Sequence, residues 1–164
     1  MSITNIDIRL LSVLISASVS IVILLVKEFI FDSWKRNKER KREQLKNFYA
    51  PLYVIILGRI HLAGRPSFGL SLGDTTDYFL SKDHMNDFLL NNAGYASDKL
   101  LEIWIDYQSD FTPELSKSRN LIYQVVKEYN QLKKQLRQNY SKGELETGIP
   151  DQFKEYRRNS YHKK

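Results

Sequence analysis

The side chains able to do chemistry in this chain are carboxylates, hydroxyls and three histidines, since it has no cysteine. Asp83, His84 and Asp87 bring oxygen and nitrogen ligands within little more than one helical turn. They lack the paired histidines of a HExxH helix and the Cys/His spacing of a structural zinc site, so a solvated helix face accounts for them. Asp74 and Asp77, with Thr75 and Thr76, read as a loop without the glycine and closing glutamate of a calcium loop. His61 and His162 have no ligand set or nucleophile at a recognisable spacing. Gly58, Gly64, Gly69 and Gly73 are too scattered to cradle a phosphate, and no serine sits in a nucleophile elbow. The expectation is a chain without enzymatic activity, cofactor or metal. The lack of cysteine excludes disulfides and thiol redox chemistry and fits a reducing compartment.

The segment that places everything else runs from Leu10 to Val26, seventeen residues without a charge. At about 1.5 Å per residue it covers roughly 26 Å of a ~30 Å hydrocarbon core. Ile6 and Ile8 before it, and Phe29, Ile30 and Phe31 after it, lengthen the apolar stretch. Lys27 can snorkel from the boundary, and Phe29, Phe31 and Trp34 suit an aromatic belt. A cleaved signal peptide needs a small-x-small site, and Lys27-Glu28-Phe29-Ile30-Phe31 offers none. An uncleaved signal anchor is therefore expected. Arg9 alone precedes it, whereas Lys27, Lys35, Arg36, Lys38, Arg40, Lys41, Arg42 and Lys46 follow. The positive-inside bias then puts the N-terminus outside and about 130 residues in the cytoplasm.

Two features of this region bear on partners. Ser12, Ser16 and Ser20 recur every four residues with Ala17 beside them, a small-residue face that allows close approach of a second span. Serines tolerated for no special purpose give the same pattern. From Lys35 to Lys46, seven cations stand against Glu39 and Glu43, a local net of +5 in a chain of net +6. An orientation signal is enough to explain Lys35, Arg36, Lys38, Arg40, Lys41 and Arg42, and contact of the same residues with anionic lipid headgroups is hard to separate from it. Nucleic acid is the weaker alternative, because no aromatic platform or recognised motif accompanies the run.

Beyond the neck the pattern is helical throughout. Leu45, Phe48, Leu52, Ile55 and Ile56 share a stripe, with Tyr49, Tyr53 and Ile60 alongside. Pro51 falls inside it, and since Ala50 is a poor cap, one long helix kinked at Pro51 is expected rather than two. Turn residues from Gly64 to Gly69 stop it. Ser81 and Ser97 read as N-caps of two shorter helices, the second carrying Leu100, Leu101, Trp104 and Ile105. Thr112-Pro113-Glu114 signals the start of the longest helix. On it Ile122, Val125, Tyr129, Leu132 and Leu136 follow a 3-4-3-4 spacing, a helix-pairing seam of about two repeats that favours packing inside the bundle over a free coiled coil. After Tyr140 the composition turns polar, and a mobile tail is expected, with at most one short helix from Pro150 to Arg158.

Phe48-Tyr49-Ala50-Pro51-Leu52-Tyr53, set just after a single span and charged neck, resembles a segment of uncharacterised one-span bacterial and prophage membrane proteins. Phe88-Leu89-Leu90-Asn91-Asn92 followed by Leu100-Leu101-Glu102 is similar too. The resemblance implies a bacterial inner-membrane setting and brings no catalytic residues.

The reading is an all-α chain: a signal anchor over 8–31, a basic juxtamembrane helix over 32–47, a cytoplasmic helical domain over 48–140 and a polar tail over 141–164. A non-enzymatic, membrane-tethered module that self-associates or docks a protein partner fits best. The alternative is a membrane-acting effector, of phage-defence or toxin type, whose assembled spans permeabilise the bilayer.

Overall fold

A computed structural model describes residues 8–64, 70–109 and 115–153. The Thr112-Pro113-Glu114 start signal, His162 and the last residues of the expected tail lie outside them. The described residues are helical or irregular, with no strand among them. In order they form α1 (Ile8–Val26), a π-turn (Lys27–Phe31), α2 (Asp32–Gln44), a second π-turn (Leu45–Tyr49) and α3 (Ala50–Leu62). After these come α4 (Lys82–Asn91), α5 (Asp98–Gln108), α6 (Leu115–Gln135) and α7 (Lys142–Thr147), with short 3-10 turns at Tyr78–Leu80, Ala93–Tyr95 and Asp151–Phe153. Two compact units divide the chain, Met1–Arg40 and Lys41–Lys164.

In the first unit, α1 has the length and apolarity to cross a membrane, and none of its apolar window is buried inside the protein. Each side chain from Leu10 to Val26 is exposed. A soluble protein hides such a helix in its core, where an apolar surface all round is stable. Among the described residues nothing covers it.

The second unit is the helical bundle, and its core explains the local backbone. Helical dihedrals continue through Tyr49 and Ala50 into Pro51 without a break. The long helix read from the sequence is therefore present. Proline in a regular helix clashes with the carbonyl four residues back and leaves it without a donor. The wider turn just before Pro51 relieves this: the Ala50 amide donates to the Leu45 carbonyl, five residues back instead of four. The same turn allows Leu45, Phe48 and Tyr49 all to be buried, with Phe48 fully enclosed. Leu52, Ile55, Ile56 and Ile60 continue the buried face along α3.

Three serines set three helix starts. Ser81 Oγ accepts from the His84 amide at 3.1 Å, Ser97 Oγ from Leu100 at 3.0 Å and Ser141 Oγ from Glu144 at 3.2 Å. Each satisfies one of the amides a helix leaves open at its N-terminus. The first two caps agree with the sequence reading, and the third was not anticipated. α6 is the longest bundle helix at 21 residues, burying Leu121, Ile122, Val125 and Val126 on one broad stripe against neighbours on several sides.

The expected polar tail begins too early. Ser141 to Phe153 forms α7 and a 3-10 turn that pack on α6, burying Glu144, Ile149 and Pro150. Gly148 makes this closure sterically allowed. Its φ is +73°, and a Cβ there would lie 2.8 Å from the Tyr123 Cα. Composition misleads here because the segment is anchored by hydrogen bonds to a buried carboxylate rather than by an apolar stripe.

Candidate interaction surfaces

In the first unit, Ser12, Ser16 and Ser20 occupy one stretch of exposed helix. Ser20 Oγ donates to the Ser16 carbonyl at 2.9 Å, and Ser18 Oγ likewise to Leu14 at 2.9 Å. Those hydroxyls are bonded within their own helix, so what Ser18 and Ser20 present outward is small size rather than a free donor. In the neck, α2 buries no side chain. Lys35, Arg36, Arg40 and Arg42 are exposed, Lys38 and Lys41 partly so. Lys38 Nζ lies 5.3 Å from the centre of the Trp34 ring, leaving the row of cations otherwise turned to solvent.

The predicted seam is divided by the fold. Ile122 and Val125 are wholly enclosed, Leu136 is 8% exposed just past the end of α6, and Tyr129 and Leu132 are half-buried. These side chains meet α3, α5 and α7 of their own chain, and the Tyr129 ring stacks on Tyr53 at 4.3 Å between centroids.

Three polar centres, two of them buried and that of Glu128 half-buried, hold the bundle, none of them singled out from the sequence. Glu144 accepts from the Tyr53 hydroxyl at 2.8 Å, from Asn130 Nδ2 at 2.7 Å and from the Asp151 amide at 2.7 Å. Asn130, itself 1% exposed, accepts from the Ser141 amide at 3.0 Å. Glu128 accepts from the Tyr49 hydroxyl at 3.0 Å, from Gln124 Nε2 at 2.8 Å and from Ser97 Oγ. Burial, reinforced by the neighbouring carboxylate, holds the Tyr49 and Tyr53 hydroxyls well above the usual phenol range. Both tyrosines thus act as protonated donors, Tyr49 bridging the second π-turn to α6 and Tyr53 bridging α3 to α7.

The third centre is Arg59, a guanidinium 1% exposed. Its Nε donates to the Gly73 carbonyl at 2.8 Å and a terminal nitrogen contacts Met85 Sδ at 3.4 Å, while Gly73 N returns a bond to the Arg59 carbonyl at 2.8 Å. A Cβ on Gly73 would stand 2.5 Å from the Ala63 amide, so only glycine lets the loop lie this close. Asp74, next in the chain, accepts from the Lys82 and Thr75 amides. Although desolvation opposes it, those amides and the charges of Arg59 and Lys82 hold its carboxyl below the usual range. Burial pushes the Tyr107 hydroxyl up, and Arg59 offsets part of that rise. Arg59 is built into the interior as a tie between α3 and the following loop, with no face open to a ligand.

Among the described residues no three His, Cys, Asp or Glu side chains converge to hold a metal. His84 lies against the rings of Tyr78 and Phe79, and its Nδ1 is buried without a hydrogen-bond partner. Asp83 and Asp87 are exposed on the same helix. The signal that could have revealed Glu144 is local: Ser141-Lys142-Gly143-Glu144 has the Ser-x-x-Glu spacing of a capping box. Its glutamate here turns inward instead of back to the cap amide. Arg59 and Glu128 carry no comparable mark, because their partners come from distant parts of the chain.

No protein-family model, curated protein or solved structure matches this chain.

Proposed function

We propose that this protein is a non-enzymatic, single-pass membrane-anchored helical module of the bacterial inner membrane, with its N-terminus outside and its bundle in the cytoplasm, that self-associates through its span. The observation that carries this reading is the uncovered helix: every side chain from Leu10 to Val26 is exposed. An apolar surface of that extent needs lipid or other spans around it. The neck supplies the orientation, with Lys35, Arg36, Lys38, Arg40, Lys41 and Arg42 beside anionic headgroups, each worth about 1 kcal/mol near the surface. The Ser12–Ser16–Ser20 face supplies a place for backbones to approach. That the Ser18 and Ser20 hydroxyls bond their own helix favours packing over the lining of a water-filled pore. This weighs against the permeabilising alternative.

Because the chain has no cysteine, a single Ala17→Cys reports on span pairing without background. Oxidation in native membranes is expected to give a disulfide-linked dimer, and Ser16→Leu with Ser20→Leu to abolish it while membrane insertion is kept. A dimer yield unchanged by the double substitution contradicts pairing through this face.

A further inference from the structure

Charge is unevenly spread over the Lys41–Lys164 unit, acids outnumbering Lys82 and Lys99 on α4 and α5. The outward side chains of α4 and α5 include Asp83, Asp87, Asp98 and Glu102, all exposed, and beside them Leu90 and Ile105 are each 61% exposed. Asn86 of α4 accepts from Trp104 and Gln108 of α5, tying the two helices together. None of these four carboxylates forms an ion pair among the described residues. They lie as two like-charged pairs at four-residue spacing, which repel along each helix, while Asp83 and Asp98 gain from the positive helix start and Lys99 is the one cation on α5. The end of α6 is the opposite. Lys127, Lys133 and Lys134 lie along its C-terminal half and Arg137 just past its end, partly or fully exposed, with Lys133 over the Tyr129 ring and Lys134 over the Tyr140 ring. The one acid on that helix, Glu128, is occupied by Tyr49, Ser97 and Gln124.

We propose that the α4–α5 face receives the cationic end of α6 from a second copy of this chain. Four carboxylates meet four cations, and the long lysine and arginine stems cover Leu90 and Ile105 while their charged heads reach the acids. The two surfaces differ, so the contact is head-to-tail and can propagate from copy to copy instead of closing as a symmetric dimer. Holding the copies in one membrane plane raises their effective concentration and makes a salt-sensitive contact sufficient. In this respect the inference rests on the anchored, self-associating reading above.

The test uses full-length chains in vesicles, one population carrying Asn91→Cys and the other Gln131→Cys, at exposed positions outside both charged sets. Oxidation at low salt is expected to link the two populations. Asp98→Lys with Glu102→Lys in the first population, or Lys127→Glu with Lys134→Glu in the second, lowers the yield about tenfold or more, and combining both reversals restores it. A yield indifferent to reversal, or not restored by the combination, overturns the proposal. Ala17→Cys in the same chains reads span pairing separately. If that dimer persists without the Asn91–Gln131 link, this surface is wrong and the anchored reading stands; if both are missing, both fail. Should Lys127→Glu with Lys134→Glu only weaken binding to phosphatidylglycerol vesicles, the cationic end serves lipid and the second copy is excluded.

Discussion

At the scale of single residues, stability is concentrated in buried hydrogen bonds to carboxylates. A buried carboxylate that loses its donors leaves a charge uncompensated, at several kcal/mol in a low-dielectric interior. Glu144 avoids this with three donors from three parts of the chain, Tyr53, Asn130 and the Asp151 amide. The tyrosines give the arrangement a pH signature. Their hydroxyls titrate above the ordinary value of 10.0 in the folded protein and near it when unfolded. Below that value both states keep the proton and the stabilisation is complete. As pH rises past it, the unfolded chain releases protons the folded one retains, so unfolding becomes easier with each increment. Denaturant midpoints of the detergent-solubilised protein are expected to be level up to about pH 9 and to fall from about pH 10 upward. Tyr49→Phe with Tyr53→Phe lowers the midpoint at neutral pH and flattens the alkaline fall. An equal alkaline slope in that variant and the parent contradicts this role.

At the scale of elements, the π-turn over Leu45–Tyr49 reconciles two demands, a proline inside a helix and a core that needs both Phe48 and Tyr49. With that turn in place Pro51 sits in the first turn of α3, where its missing amide proton is no loss. Pro51→Ala is therefore expected to change unfolding free energy by less than about 1 kcal/mol, the small loss coming from a looser unfolded chain. A gain near the ~3 kcal/mol of an uncompensated interior proline shows that the π-turn does not relieve it. How much of this was legible in the sequence follows from range. Ser81 and Ser97 announce their helices because a cap acts on an amide three residues away. The apolar stripe Leu45–Ile60 is legible for the same reason, as its spacing is its geometry. The π-turn was not, since it depends on what packs against Phe48 and Tyr49. Arg59 and Glu128 were not either, since each is recognised only beside partners that lie far off in sequence, such as Gly73, or Tyr49 and Ser97. Residues 141–153 look polar because Glu144 and Asn130 hold them, and composition cannot tell a satisfied buried acid from a solvated one.

At the scale of the whole molecule, the sequence was most informative about the one helix, among the described residues, long and apolar enough to cross a membrane. A bilayer demands an uncharged helix of fixed length and penalises translocated cations, and both rules act on composition alone. Leu10–Val26 is accordingly legible as an uncharged, exposed apolar helix, whereas the surfaces that would choose a partner depend on how helices are brought together. The most direct measurement fuses a reporter pair after Lys164, one half active only in the cytoplasm and the other only in the periplasm, and reads both in washed membranes. The anchored reading predicts cytoplasmic signal alone, retained in the membrane fraction after alkaline carbonate extraction. Periplasmic signal from the unmodified chain, or release into the soluble fraction, contradicts it.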